Sequence, residues 1–469
     1  MIRRIARKEF TEMTRDGRFR AASSVVFLLL IASFVIGWKH SREMRAHQEL
    51  AQRSARRQWE RQDAKNPHSA AHFGTYAFKP PSPLAYFDRG VDAYTGVAVW
   101  VEAHKQNPFL FRPAEDATGI ARFGDGAAAS ALQSLIPLLI ILLSFSAFTG
   151  EREHGTLKQV LSAGVRRRDL LVGKALGQFA ALGLLLVPAT VIGVIALSLN
   201  SARASDYARL SFLSAGYLLY FAGFIALSLA CSAWAKSSRV ALIALFAFWI
   251  VNCLLAPRLA ADVAERLYPA PTGAQFWETI EQDMKEGVDG HNPASRRTEE
   301  LKQQVLKQYG VTKVEDLPVN FAGIALQAGE EYGNRVFDRR YGELWGLYEK
   351  QNRIHKALAL VAPLNALRQF SAGMAGTDFA QHRDFAVAAE NYRRALNKMM
   401  NENLAYNSHG GDFEYEADGA LWKATQDFVY TAPGATWVLR LQIWNCAALA
   451  LWFAVAVALA WRAAIRLDP

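Results

Sequence analysis

Apolar runs long enough to cross a bilayer alternate along the chain with long, heavily charged segments. A membrane-spanning helix needs about 20 mostly apolar residues, with about 17 to 25 allowed. Six segments meet this requirement, and we predict spans at 21–38 (TM1), 129–149 (TM2), 176–199 (TM3), 210–234 (TM4), 238–257 (TM5) and 437–461 (TM6). Pro137 and Pro188 lie inside two of them, and membrane helices tolerate proline because neighbouring groups satisfy the freed backbone carbonyl.

Lysines and arginines in the short connections predict the orientation of these spans. The first twenty residues contain seven of them, and the connection at 150–175 contains six. Short connections rich in these residues stay on the cytoplasmic side. We therefore expect both termini in the cytoplasm, with the chain crossing the membrane six times. The inner parts are an interfacial helix at 1–20, a hairpin at 150–175 and a tail at 462–469.

Two long insertions, 39–128 and 258–436, are then expected outside the cytoplasm. Residues 41–65 lack proline and glycine and are rich in helix-forming residues, so the first span is expected to continue outward as a helix. Residues 66–128 are rich in proline, glycine and aromatic residues, which indicates ordered but irregular structure.

The second insertion carries helical patterns. Apolar residues between 385 and 399 are spaced by four and three, which predicts an amphipathic helix packed on a core, and 320–360 is also expected to be helical. The predicted fold class is therefore an all-α polytopic membrane protein, with six transmembrane helices and a large, mainly helical extracytoplasmic domain built from both insertions.

Composition adds two limits. The three cysteines lie in or beside apolar runs, so no disulfide framework is expected in the external domain. The net charge is +10, but the basic runs RSARRQWERQDAK and RRIARK each adjoin a span. We therefore expect solvated helix faces and contact with lipid headgroups of the bilayer, and no nucleic acid.

The stretch FTGEREHGTLKQVLSAGVRRRDLLVGK, residues 148–174, places many charges between two spans. Thr156 and Gln159 have the spacing of a capping box, which predicts the start of a helix. Asp169 is expected to cap the helix that runs into the third span. An acidic pair, Glu151 and Glu153, is not expected in a loop that only binds anionic lipid.

This stretch resembles the coupling region of ABC-2-type transporter permeases, from Gly150 to Leu157 and on through an arginine cluster to Gly173-Lys174. The opening IARKEFTEMTRDGRFR resembles the interfacial helix that precedes their first span. In that family the segment docks into a groove of a separate ATP-hydrolysing subunit and transmits its closure to the spans. The resemblance implies that six residues contact the ATPase partner: Glu151, Glu153, Gly155, Thr156, Leu157 and Leu161.

The external stretches resemble a narrower branch, in which the permease carries a large extracytoplasmic domain of unknown function. This branch is related to gliding-motility and copper-enzyme-maturation permeases. The matching stretches are NPHSAAHFGTYAFKP, FDRGVDAYTGVAVWVEAHKQN and LNALRQFSAGMAGTDFAQHRDFAVAAENYRRALN. The resemblance implies two permeases, identical or related, that pair around a central pathway above two ATPase subunits.

The sequence contains no G-x-x-x-x-G-K-[ST] loop to bind phosphates. We therefore expect a non-catalytic subunit that binds no cofactor directly, with ATP and Mg²⁺ on the partner ATPase. Ionisable residues are almost absent from the predicted spans, which argues against an ion-driven carrier. Gln178 and Asn252 are expected to form hydrogen bonds between helices.

His68 and His72 would share one face of a helix because they lie four residues apart, and they are the candidate metal ligands. No H-E-x-x-H pattern accompanies them, and Pro67 and Gly74 limit the helix to about two turns. This context favours a structural role, so no metal site is predicted.

Two alternatives to a transporter subunit remain. The size of the external domain suggests a membrane-anchored scaffold in which ATP-driven motion acts on an extracytoplasmic protein partner without moving cargo. A membrane-embedded enzyme is the other, and no nucleophile–base or metal constellation in the sequence supports it.

Overall fold

The computed structural model describes residues 1–116, 127–199, 202–288, 291–292 and 295–467. The predictions for 117–126 in the first insertion, 200–201 between the third and fourth spans, and 468–469 in the tail lie outside the described residues. The same holds for 289–290 and 293–294 in the second insertion.

Six helical segments are long and apolar enough to cross a membrane, which confirms the predicted multi-pass architecture. The chain begins with α1 (Ile2–Arg15), and the first span lies in α2 (Gly17–Glu60). The other spans and the hairpin are α6 (Ala128–Ser144), α7 (Thr149–Glu153), α8 (Thr156–Ser162), α9 (Arg167–Ser198), α10 (Ala204–Trp234), α11 (Ser238–Ile250), α12 (Ala256–Leu267) and α20 (Ile443–Ile465). Helix α2 continues 22 residues beyond the predicted end of the span at 38, as the composition of 41–65 predicts.

The fifth span contains a π-helical turn, Val251–Leu255, between α11 and α12. Pro257 follows at the start of α12, and it has no N–H to bond to the carbonyl of Cys253 four residues earlier, which loosens the helix at this point. Asn252 in the turn is buried; its amide donates to the Tyr220 hydroxyl at 3.1 Å. The predicted hydrogen bond between helices is therefore confirmed for Asn252.

The large domain consists of both insertions. Its elements are α3 (Pro67–Phe73), β1 (Thr75–Phe78), α4 (Asp92–Thr95), β2 (Ala98–Glu102), β3 (Lys105–Gln106), α5 (Pro113–Asp116), α13 (Gly273–Met284), α14 (Arg296–Tyr309), a 3-10 turn (Val314–Asp316), α15 (Phe321–Leu358), α16 (Pro363–Ala375), α17 (Phe379–Asn407), α18 (Gly419–Ala424) and α19 (Ala435–Leu441). Strands β1, β2 and β3 form an antiparallel sheet in that order, with Thr75 opposite Val101 and Val101 opposite Gln106.

The two insertions share buried contacts and so form one domain. Trp59, near the C-terminal end of α2, is buried, and its indole N–H donates to the carbonyl of Trp422 at 3.0 Å and to the hydroxyl of Thr425 at 2.7 Å. On the sheet, Val99 and Val101 pack in one cluster with Ala389 of α17. The mainly helical fold class is confirmed, and the small sheet replaces part of the irregular structure predicted for 66–128.

Candidate functional site: a charged hairpin between two spans

The hairpin, residues 150–175, turns on a glycine rather than on a capping box. Gly155 precedes α8 with φ +74°, a left-handed conformation that favours glycine. Thr156 is already the first residue of the helix, and its hydroxyl donates to the carbonyl of Glu151 at 3.1 Å. The predicted capping box of Thr156 and Gln159 is therefore wrong, because the backbone of Gly155 sets the start of α8.

The start of α9 also differs from the prediction. Arg166 occupies the N-cap position without a side-chain cap, and Asp169 lies inside the first turn of the helix. The prediction that Asp169 caps α9 is wrong. Its carboxylate still lies where the positive end of the helix dipole favours an anion.

Glu151 joins the hairpin to two helices through a buried ion network. Its carboxylate accepts from the ammonium of Lys174 at 2.8 Å and from that of Lys8 at 3.2 Å. Lys174 is buried about two turns into α9, and it also donates to Glu9 of α1 at 2.6 Å. One cation thus holds α1, the hairpin and α9 together.

Two glycines on α9 allow α1 to approach closely enough for this network. A Cβ on Gly173 would lie 2.6 Å from the Cβ of Ile5, and one on Gly177 would lie 2.5 Å from the Cβ of Glu9. Both distances are shorter than any van der Waals contact between carbons. The spacing of four residues places both glycines on one face of α9, the arrangement that lets membrane helices pack backbone against backbone.

Arg152 binds the end of the fourth span. Its guanidinium donates to the backbone carbonyls of Ala235 at 2.8 Å and Ala233 at 3.0 Å. These carbonyls belong to the C-terminal end of α10, where the helix leaves acceptors without intrahelical partners. A cation there also complements the negative end of the helix dipole.

Glu153 binds the beginning of the fifth span. Its carboxylate accepts from the backbone N–H of Ser238 at 2.7 Å and lies 2.8 Å from the hydroxyl of the same residue. Ser238 is the first residue of α11, so the carboxylate meets the positive end of that helix. The Ser238 hydroxyl also lies 2.9 Å from the hydroxyl of Thr149 at the start of α7.

Helix α8 buries its apolar face and exposes the opposite, polar face to solvent. Leu157 is fully buried in the chain's own core, and Leu161 is partly buried against the same core. Gly155 and Thr156 are exposed, and so is Lys158. The hairpin therefore presents a polar surface whose inner side is fixed to the helix bundle.

The six predicted contact residues thus occupy different environments. The carboxylates of Glu151 and Glu153 bind other residues of the chain. Leu157 is buried in the core and Leu161 is half-buried, whereas Gly155 and Thr156 are exposed to solvent. Sequence reasoning missed the roles of Arg152, Lys174, Glu9 and Ser238. The available signal was a lysine placed directly before a predicted span, which needs an anionic partner if it is buried.

The other candidate residues, His68 and His72, lie in the large domain on α3. The structure brings them together with His104 and His291, and one ring nitrogen of each of the four lies within 4.8 Å of the others. Gln178 accepts from the Ser144 hydroxyl at 2.8 Å, which confirms its predicted hydrogen bond between helices.

Comparisons with known proteins agree with this architecture. The model of the ABC-2 family transporter proteins matches residues 108–257, and that of a domain of unknown function, DUF3526, matches residues 274–431. A probable ABC transporter permease protein, NosY of Pseudomonas aeruginosa, is 46% identical over 59 residues. That match spans 13% of this chain and 20% of the relative. Together the two matches and the relative support an ABC-2 type ABC transporter permease that carries an additional DUF3526 domain.

Proposed function

We propose that the chain is the transmembrane subunit of an exporter-like ABC transporter, in which a separate ATPase subunit moves the spans by displacing the hairpin. One observation carries the proposal. Three consecutive residues, Glu151, Arg152 and Glu153, bind three different helices: α9 through Lys174, the end of α10, and the start of α11.

This arrangement suits the transmission of a mechanical displacement. A partner can shift a conformational equilibrium only through contacts that differ between the two states. Because each charged residue binds a different helix, a shift of the hairpin changes the contacts of several spans together. The short, buried ion network also links the movement to α1 through Glu9.

The surface that would meet the ATPase is the exposed side of the hairpin. Gly155 and Thr156 belong to it, and the neighbouring Lys158 extends it. We retain Glu151, Glu153, Leu157 and Leu161 as residues of the coupling site, in the role of positioning this surface on the bundle.

The proposed assembly contains two permeases, the same chain or a related one, and ATPase subunits that carry ATP and Mg²⁺. The coupling role then needs no cofactor bound directly by the chain, and the chain catalyses no reaction. We place it in the bacterial inner membrane, with both termini and the hairpin on the cytoplasmic side. The short connections rich in lysine and arginine support this orientation.

A reconstituted complex with the cognate ATPase tests the proposal. Gly155→Pro forces φ away from +74°, and it is expected to reduce stimulation of the ATPase about tenfold, within the 5- to 150-fold range typical of coupling between sites. Combined with Glu153→Ala, the loss should be larger. Gly310→Pro is the matched control, because Gly310 has φ +67° and open space around it but lies in the large domain. Unchanged stimulation and assembly in the double variant would refute the coupling role.

A second function, a scaffold that drives an external partner without moving cargo, has its own support. Helix α16 of the large domain joins the spans directly: Ser371 lies 3.0 Å from the Tyr217 hydroxyl, and the backbone N–H of Leu364 donates to Asn252 at 3.1 Å. Movement of the spans would therefore reach the large domain. Co-purification of an external protein, with no substrate flux in reconstituted vesicles, would favour this alternative.

A further inference from the structure

The large domain contains a cluster of four histidines contributed by separate parts of the chain. His68 and His72 project from one face of α3, His104 lies in the β2–β3 turn, and His291 follows α13. The cluster joins the two insertions, because the first three residues belong to one and His291 to the other. It is separate from the hairpin and has no part in the proposed coupling.

Three of the rings direct the same nitrogen at a common point. The Nε2 atoms of His68 and His104 lie 3.1 Å apart, those of His68 and His291 3.2 Å, and those of His104 and His291 2.9 Å. Tetrahedral coordination with metal–nitrogen bonds of 2.0–2.1 Å requires nitrogens about 3.3 Å apart. The observed separations therefore need to widen by only a few tenths of an ångström, and His72 lies close enough to supply a fourth ligand.

Hydrogen bonds on the far side of two rings fix which nitrogen carries the proton. The Nδ1 of His68 lies 3.1 Å from the amide oxygen of Asn401, and the amide nitrogen of Asn401 donates in turn to Gln327. The Nδ1 of His104 lies 3.0 Å from the carboxylate of Glu330. Both acceptors require a proton on Nδ1, so both Nε2 atoms carry lone pairs when the rings are neutral.

Two lone pairs 3.1 Å apart repel each other unless a proton or a metal ion lies between them. A proton on His291 can satisfy one of its neighbours, but it leaves the contact between His68 and His104 without a hydrogen. A metal ion accepts all the lone pairs at once. The bonds from Nδ1 to Asn401 and Glu330 are the kind of outer contact that orients a metal-binding histidine.

We propose that His68, His72, His104 and His291 bind a late first-row transition-metal ion, such as Zn²⁺, through four neutral imidazoles. Imidazole suits zinc, copper, cobalt and nickel, whereas Mg²⁺ and Ca²⁺ prefer oxygen ligands. The site is buried on the side of His68 and open on the side of His72 and His291, so an ion can enter from the surface. A bound ion would tie the two insertions together.

Metal titration of the full-length, tag-free chain in detergent, stripped with a chelator, tests the proposal. We expect the chain to bind one Zn²⁺ ion, which Cu²⁺ displaces and Mg²⁺ does not. Bound Co²⁺ should show the visible absorption of a four-coordinate site. His72→Gln and His291→Gln change exposed residues and should still fold, as circular dichroism would verify, yet each should weaken Zn²⁺ binding about 100-fold. Asn401→Leu should weaken it by about 10- to 100-fold.

His409→Gln serves as the matched control, because His409 is an exposed histidine of the same domain outside the cluster. The affinity of this variant for Zn²⁺ should equal that of the parent chain. A folded chain that binds none of Zn²⁺, Cu²⁺ and Co²⁺ would overturn the proposal. So would Zn²⁺ affinity that is the same in both ligand variants as in the parent chain.

Discussion

Lys174 is a buried cation held between two carboxylates, Glu9 at 2.6 Å and Glu151 at 2.8 Å. Removing one member of a buried ion pair is strongly destabilising, because the remaining charge has neither water nor a partner. At this position two carboxylates of the same charge would remain. The residue therefore sets both the stability of the hairpin and its connection to α1.

We expect Lys174→Met to lower the free energy of unfolding by about 3–5 kcal/mol. The triple variant Lys174→Met, Glu9→Gln, Glu151→Gln should regain most of the lost free energy of unfolding, because no buried charge then remains at this position. Lys8→Met is the control: Lys8 also touches Glu151, but its side chain is half exposed, so the loss should be about 1 kcal/mol or less. Thermal unfolding in detergent measures all three, and equal losses for Lys174→Met and Lys8→Met would contradict the buried network.

His382 makes the large domain sensitive to acid. Burial, assisted by the charges of Lys79 and Arg112, lowers the pKa of His382 from 6.5 to about 3. Between pH 6.5 and 3, His382 therefore binds a proton in the unfolded chain but not in the folded chain. Stability falls by up to about 1.4 kcal/mol for each pH unit between 6.5 and 3.

We expect His382→Asn to remove this slope, so that the domain loses less stability between pH 6.5 and 4.5 than the parent chain does. The comparison within each variant separates the pH effect from the packing lost against Phe109, whose ring lies 4.6 Å from that of His382. His409→Asn, at an exposed position, should leave the slope unchanged. Equal slopes for His382→Asn and the parent chain would show that His382 does not cause the acid sensitivity.

At the scale of elements, the packing of α1 against α9 depends on glycine. Gly173→Val should push α1 away from α9, at a cost of about 1–3 kcal/mol, and expose α1 to protease. Gly183→Val is a matched control on the same helix, because a Cβ there meets no atom of the described residues within 4 Å. Limited proteolysis of the α1 region measures the effect, and the same cleavage rate in both variants would contradict the close packing.

The sequence predicted some elements well and others poorly, for physical reasons. Long apolar runs identify spans because the bilayer imposes their length, and the apolar spacing between 385 and 399 identifies α17 because one face of that helix is buried on a core. The start of α8 was missed because a left-handed glycine competes with a hydroxyl cap. Strands β1 to β3 were missed because they have two to five residues, too few for a period to show.

At the scale of the whole molecule, the features that sequence reasoning missed are contacts between distant parts of the chain. His104 and His291 are 187 positions apart, and Lys174 and Glu9 are 165 apart. No local spacing predicts either pair, because the fold alone brings them together. The six residues assigned to the coupling site remain a prediction, and the structure adds the inner partners that would hold them.

The large domain and the helix bundle are joined by polar contacts as well as by chain connections. The N–H of Ala129, at the start of α6, donates to the carbonyl of Phe87 at 3.0 Å, and Asn252 of the fifth span binds Leu364 of α16. The first contact holds the start of α6 and the second holds the turn inside the fifth span, whereas the hairpin holds the other side of the bundle. Displacement of the hairpin would therefore change the contacts of the spans on both sides of the bundle.

Photo-crosslinking tests most directly whether the hairpin is the contact surface for an ATPase subunit. A crosslinking amino acid at Lys158, exposed on α8, would be compared with one at Glu300, exposed on α14 of the large domain. We expect that Lys158 crosslinks to the ATPase subunit in membranes and that Glu300 does not. Crosslinking of the ATPase from Glu300, or none from Lys158 in a complex that retains ATPase activity, would contradict it.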